Sequence, residues 1–260
     1  VRGGATTRDT VPSGRWGLPD VWGGILAGVL VSTIVYGIVL ALGGWDPEES
    51  MGDGAAVGRT SAQVAAGADI GTDAVPFVVS TLLVVPLWAG LLGAIVVAGR
   101  RGLTRADLRW GGRLSDVLVG VPIGIATQVV AVPLLYLPLT LLVDDLDVSE
   151  QARRLTDRAS GVGVLVLVLV VVIGAPVVEE LFYRGLALAA FERRMSPMPA
   201  LAASSVLFGA VHLQLLQFPA LVMFGAVAGL LAQRSGRILL PIAAHVGFNA
   251  TTVVVLLGFA

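Results

Sequence analysis

The chain alternates between long apolar runs and short polar, Arg-bearing connections. Seven runs are long enough, or nearly so, to cross a bilayer: 19–43, 75–98, 115–143, 161–190, 198–213, 217–233 and 238–258. A helix needs about twenty mainly apolar residues for that crossing. Period-two alternation is absent, so the spans are read as helices and not as barrel strands. The fifth and sixth runs are short, and their ends are the least defined. The third and fourth carry Pro122, Pro133, Pro138 and Pro176, which predicts kinks or tilt there. The expected fold is all-α: a polytopic membrane helix bundle of seven, or at most eight, transmembrane helices.

The connections set the orientation, because cytoplasmic loops carry the excess of basic residues. Alternate connections divide unequally. The N-terminus (Arg2, Arg8, Arg15), 99–114, 191–197 and 234–237 together hold twelve arginines. The opposite connections hold four: Arg59, Arg153, Arg154 and Arg158. The N-terminus is therefore expected in the cytoplasm. Residues 1–17 form a cytoplasmic tail without a signal-peptide pattern, and the first apolar run is expected to stay as an anchor. Residues 18–160 form an N-terminal group of membrane helices interrupted by an acidic Gly/Ala-rich external segment, 44–74. The stretch 149–158 has the pattern of a short surface helix. Residues 161–260 form the segment that carries the chemistry. Gly24–Gly28, Gly120–Gly124 and Gly225–Gly229 have the four-residue spacing of close helix packing in lipid.

Composition agrees with this picture. Of 260 residues, 56% are hydrophobic and 13% charged, and mean hydropathy is +0.88; soluble domains carry about a quarter charged residues. Cysteine is absent, which excludes disulfide and thiolate chemistry. A net charge of −1 gives no reason to expect nucleic acid. Every basic residue is Arg, and with abundant Ala, Gly and Val this suggests a GC-rich bacterial genome and a multi-pass protein of the bacterial plasma membrane.

Against that apolar background three motifs stand out: Glu179-Glu180-Leu-Phe-Tyr-Arg184, Phe208-Gly-Ala-Val-His212 and His245-Val-Gly-Phe-Asn249. They contain both histidines of the chain. Ionisable groups inside a membrane are costly and mark function by default. Counted at about 1.5 Å per residue from the Arg clusters, Glu179 and His212 lie roughly 21 Å deep, and His245 and Asn249 roughly 12 and 18 Å. The four therefore share one slab at or just inside the midplane. Glu180 and Arg184, at i and i+4, have the offset of a same-face ion pair, so Glu180 is read as the clamp and Glu179 as the free carboxylate. Phe208 and His212 share a face, as do His245 and Asn249.

Such a set suits hydrolysis of a peptide bond. Glu179 could act as base toward water and His212 could share that water and protonate the leaving amine. His245 and Asn249 could donate to the oxyanion. The same Glu179, His212 and His245 could instead hold Zn²⁺ with a water, although Asn is a poor zinc ligand and HExxH is missing. The favoured reading needs no cofactor. Competing classes are a proton-coupled transporter, for which no inverted repeat is visible, and a non-catalytic membrane immunity or scaffold protein.

The ordered set EExxxR, FxxxH and HxxxN resembles the CAAX-protease and bacteriocin-processing (Abi) family of intramembrane proteases, similar to the type II CAAX prenyl endopeptidases. The likeness spans about 170–252 and includes Arg184-Gly185 and the run from Arg237 through Pro241 to His245. It implies that Glu179 and His212 activate water, that Glu180 and Arg184 support the site together with Phe208, and that His245 and Asn249 hold the oxyanion. The implied partners are the bilayer and a membrane-associated peptide or protein, either a CaaX-like C-terminus or a bacteriocin-type peptide.

Overall fold

The computed structural model describes residues 15–43, 77–142 and 161–258. The acidic segment 44–74, the surface helix expected at 149–158 and most of the N-terminal tail lie outside the described residues. Those that are described form eight helices and no strand: α1 Leu18–Gly43, α2 Phe77–Leu82, α3 Val85–Arg100, α4 Leu114–Thr140, α5 Val162–Glu192, α6 Pro197–Ala210, α7 Phe218–Ser235 and α8 Leu239–Gly258. Five of them, α1, α4, α5, α7 and α8, are long and apolar enough to cross a membrane. The chain is a multi-pass helical membrane protein. In α1 only 11% of the most apolar window is buried within the bundle, and Leu26, Leu30 and Leu42 point outward. That surface is apolar because its solvent is lipid.

Two expectations are corrected. The run 75–98 is two helices, broken at Leu83 and Val84, and Pro86 in the first turn of α3 suits a helix start, where its missing N–H costs nothing. The run 198–213 stops as a helix at Ala210. His212 therefore sits in the turn beyond α6 and not on it, and Leu213 follows with a left-handed φ of 55°.

The four-spaced glycines are where helices touch. A Cβ on Gly24 or Gly28 would run into Ala94 or Leu87 of α3, and one on Gly90 would meet the α1 backbone. Gly120 and Gly124 lie against Leu240, Ala243 and Ala244 of α8, and Gly247 of α8 lies against Val121. Gly225 and Gly229 receive Ser205 and Leu201 of α6. Three helix pairs thus approach closely at glycine, and α5 packs among them.

The Arg-rich connections gather at one end of the bundle. Arg101 pairs with Asp20 at 2.8 Å, Arg109 with Glu192 at 2.5 Å and Arg237 with Asp116 at 2.6 Å. Gln233 donates to the other Glu192 oxygen at 2.9 Å, and the Arg193 guanidinium covers Trp16. The backbone N–H of Ile238 donates to Arg109 O, tying the loop before α4 to the turn between α7 and α8.

The prolines of α4 and α5 act through π-helical segments more than through simple kinks. In α4 the segment is Thr127–Ala131, with Pro133 just beyond it. Two further segments, Val168–Gly174 and Leu181–Ala187, lie in α5. A π segment inserts a residue into the i→i−4 ladder and recurs at functional sites. The two in α5 bracket the Glu179-Glu180 pair.

Candidate functional site

The first π segment of α5 prepares an acceptor for a neighbouring helix. Ala175 N–H bonds back to Val170 O, five residues earlier. In that register the next carbonyl, Val171 O, would await the N–H of residue 176, which is proline and has none. Asn249 of α8 supplies the donor: its Nδ2 reaches Val171 O at 2.8 Å. At the second segment no proline takes part, since residue 189 is alanine. Leu188 N–H bonds to Tyr183 O, and the following carbonyl, Arg184 O, accepts from Arg109 Nη1 at 2.9 Å. Beside each register shift one side chain from elsewhere is bonded, and together the two bonds hold the carboxylate-bearing turn of α5 against α8 and against the loop before α4.

Between these anchors the two glutamates separate. Glu180 is fully buried, and its Oε1 accepts from Arg184 Nη1 at 2.9 Å and from His245 Nδ1 at 2.8 Å. Arg184 also donates to Gly225 O at 3.2 Å and lies 4.4 Å above the Phe208 ring. Isolated charges this deep would be prohibitively desolvated, and the pairing at Oε1 is what lets them remain, while Glu180 Oε2 is buried without a hydrogen-bond partner among the described residues. Glu179 keeps a partly open side chain, 17% exposed, with its Oε2 4.0 Å from His245 Nε2. The expected clamp is present, but it has a third member, since His245 joins Glu180 and Arg184. The bond at Nδ1 orients the imidazole and leaves Nε2 on the Glu179 side.

His212 is held differently. Its Nδ1 donates to Phe208 O at 2.7 Å; a carbonyl only accepts, so Nδ1 carries the hydrogen and Nε2 has the lone pair in the neutral ring. Phe208 is the plate around which the site is built. It is edge-on to His212 at 4.8 Å and to His245 at 5.9 Å between ring centroids, with Arg184 across its face. Phe224 packs against His245 at 4.7 Å and against Phe248 at 4.5 Å.

Glu179, Phe208, His212, His245 and Asn249 all line one cavity of about 280 Å³. Glu180 and Arg184 lie behind it. All seven residues singled out in the sequence are thus brought together. The contributions of Arg109, Val171 O, Gly225 O and Phe224 were not read from the sequence. Pro176 at the end of an apolar run is the one signal that could have pointed to Val171 O. Among the described residues no three His, Asp or Glu side chains are arranged to hold a metal ion; Glu179, His212 and His245 share the cavity without forming such a set.

A carboxylate and a histidine with a free ring nitrogen, facing an oriented histidine and an amide in one small cavity, can polarise a water and receive a developing negative charge. Residues 161–251 match the family described as type II CAAX prenyl endopeptidase Rce1-like. No curated protein and no solved structure matches the chain.

Proposed function

We propose that this chain, whose residues 161–251 belong to the Rce1-like family of type II CAAX prenyl endopeptidases, hydrolyses a peptide bond of a membrane-associated substrate with Glu179 as the base. The observation that carries this reading is the shared cavity of Glu179, His212, His245 and Asn249. Within it Glu179 is the carboxylate left open while Glu180 is committed to Arg184 and His245. Residues 161–260 are the catalytic core, and the described helices α1 to α4 of the N-terminal part pack against it.

In this mechanism Glu179 takes a proton from water while His212 Nε2 accepts the second hydrogen bond and aligns the oxygen. The water oxygen bonds to the scissile carbonyl carbon, and the carbonyl π pair moves onto its oxygen. His245, in its charged form, donates Nδ1–H to Glu180 and Nε2–H to that oxyanion. Asn249 gives one Nδ2 hydrogen to Val171 O, which leaves its second for the oxyanion. Donors fixed in advance are worth most here, since a single one is commonly worth about 2.7–4 kcal/mol. The proton held by Glu179 passes to His212 and on to the leaving amine as the C–N bond breaks. The chemistry uses only side chains.

The test is cleavage of a membrane-anchored C-terminal peptide library by purified wild type and Glu179→Ala, with and without a chelator. Wild-type cleavage that survives chelation and disappears in Glu179→Ala is expected. Cleavage lost on chelation and restored by zinc would instead reassign Glu179, His212 and His245 as metal ligands. Undiminished cleavage by a folded Glu179→Ala protein would refute the mechanism.

A further inference from the structure

Seven polar residues line the cavity. Glu179, His212, His245 and Asn249 serve the chemistry proposed above, and Thr252 Oγ1 is directed back to Phe248 O within α8 at 3.4 Å. Gln214 and Gln217 remain. Both lie in the turn between α6 and α7, and neither side-chain amide has a hydrogen-bond partner among the described residues. Gln233 makes the contrast: its amide donates to Glu192 Oε1 and to Pro197 O at 2.9 and 3.0 Å. Around the two open amides the wall is apolar, with Val171, Phe224, Phe248 and Leu256 among its members. A primary amide on such a wall is satisfied only by a molecule that enters with both a donor and an acceptor.

The backbone that carries these amides is fixed. Phe218 N–H donates to Gln214 O at 2.8 Å and Leu221 N–H to Gln217 O at 2.9 Å. Tyr136, buried on α4, donates its hydroxyl to Leu216 O, between the two glutamines. The turn is thus held by its own bonds and by a second helix, while its side-chain amides stay open. Backbone bonds of four-residue span give the segment helical spacing, so Gln214 and Gln217 share a face with Cβ atoms about 5–6 Å apart. In an extended peptide the N–H and C=O of one residue point to the same side. The next such pair on that side is two residues on, about 6.6 Å away at ~3.3 Å per residue. A primary amide accepts through its oxygen and donates through its nitrogen, which matches one such pair, and two glutamine side chains span the small difference in spacing.

We propose that Gln214 and Gln217 bind substrate by holding the main chain of an extended peptide on the leaving-group side of the scissile bond. The side follows from His212, which stands two residues before Gln214 on the same turn and protonates the leaving amine in the mechanism above. This rests on reading the cavity as the catalytic one, but its test does not require activity. Glu179, His212 and His245 are the ionisable residues of the lining, and all three are engaged in the chemistry. The segment is therefore recognised through its backbone and not through a charged side chain. Proline lacks the backbone N–H, so a peptide with proline at either of the two held positions is a poor ligand.

The test reads binding by the full chain carrying Glu179→Gln, purified in detergent. Palmitoylated, fluorescein-labelled peptides with varied apolar C-terminal segments are titrated, and anisotropy gives Kd. The tightest binder is then remade with a single N-methyl group at each backbone amide in turn. Gln214→Met and Gln217→Met keep the length of the side chain and remove its amide. Each should raise Kd about three- to tenfold. N-methylation at two amides, two residues apart, should raise Kd to a similar extent when both glutamines are present and no further in the matching methionine variant. Gln214→Ala and Gln217→Ala take their place should a methionine variant fail to fold. Unchanged Kd in both variants, an N-methyl effect that persists in full without the glutamines, or no binding by any peptide would overturn the proposal. Glutamine-dependent binding without cleavage by the wild-type protein would uphold it and sink the protease reading instead. Where the wild type does cleave, sensitive amides on the N-terminal side of the cut would overturn the assignment to the leaving group.

Discussion

Two adjacent glutamates one bond apart in sequence have opposite surroundings, and substitution should separate them cleanly. Glu180→Gln removes the charge from a fully buried group that serves both Arg184 and His245. Leaving a buried arginine uncompensated costs about 3–5 kcal/mol, so this variant should unfold in detergent at a markedly lower temperature than wild type. Glu179→Gln removes the charge from a cavity-facing group and should shift the melting temperature little while abolishing cleavage. Thermal melts of the two variants beside wild type check both statements, and equal destabilisation would erase the distinction between clamp and base. The distinction was legible in the sequence because only Glu180 stands four residues from Arg184. His245 as third member of the clamp was not legible, since the offset of 65 residues between partners has no local signature. Nor was the place of His212: the FxxxH spacing implied a shared helical face, but α6 ends at Ala210, and the contact with Phe208 is made from the turn instead.

Helix positions were readable from hydropathy to within a few residues, because lipid demands long apolar runs whatever the partner. Register within a helix was not. The prolines announced irregularity, yet the irregularity is a shift to π geometry beside which two carbonyls, Val171 O and Arg184 O, each accept from a side chain of another element. Arg109 looked in the sequence like one more orienting charge. In the structure it holds a left-handed φ of 52° while bonding Arg184 O and Glu192, so it positions the second π segment. Arg109→Ala should lower kcat with little change in KM, and Arg109→Lys should recover only part of it, because one ammonium cannot reproduce the forked donation. Loss through KM alone would argue against the positioning role. The glycine seams make a second test. At Gly124 a methyl meets the α8 backbone, whereas at Gly93 it meets nothing within 4 Å. Gly124→Ala should destabilise by about 1–3 kcal/mol, and Gly93→Ala should be neutral or stabilising through better helix propensity; melting temperatures of the pair decide.

At the scale of the whole molecule, the bundle is tied by ion pairs at its Arg-rich end and hollow where Glu179, His212, His245 and Asn249 meet. The sequence showed which connections share a side, because charge asymmetry is a property of composition. It could not show the cavity, which follows from which turns of α5, α7 and α8 face each other. The shortness of α6 bears on the lipid. Helices of 26, 27 and 31 residues share the bundle with one of 14, so the protein's apolar girdle has unequal height around its circumference. Acyl chains next to α6 must shorten or splay, at a cost of fractions of a kcal/mol per Å. A thin bilayer relieves that elastic deformation and a thick one aggravates it. In vesicles of increasing acyl length, cleavage by the reconstituted protein should fall as the bilayer thickens, and a flat profile would show that the surrounding lipid does not feel the short helix. The protein would then belong by its own shape in the thinner regions of its membrane, sorted there by hydrophobic mismatch without any targeting signal.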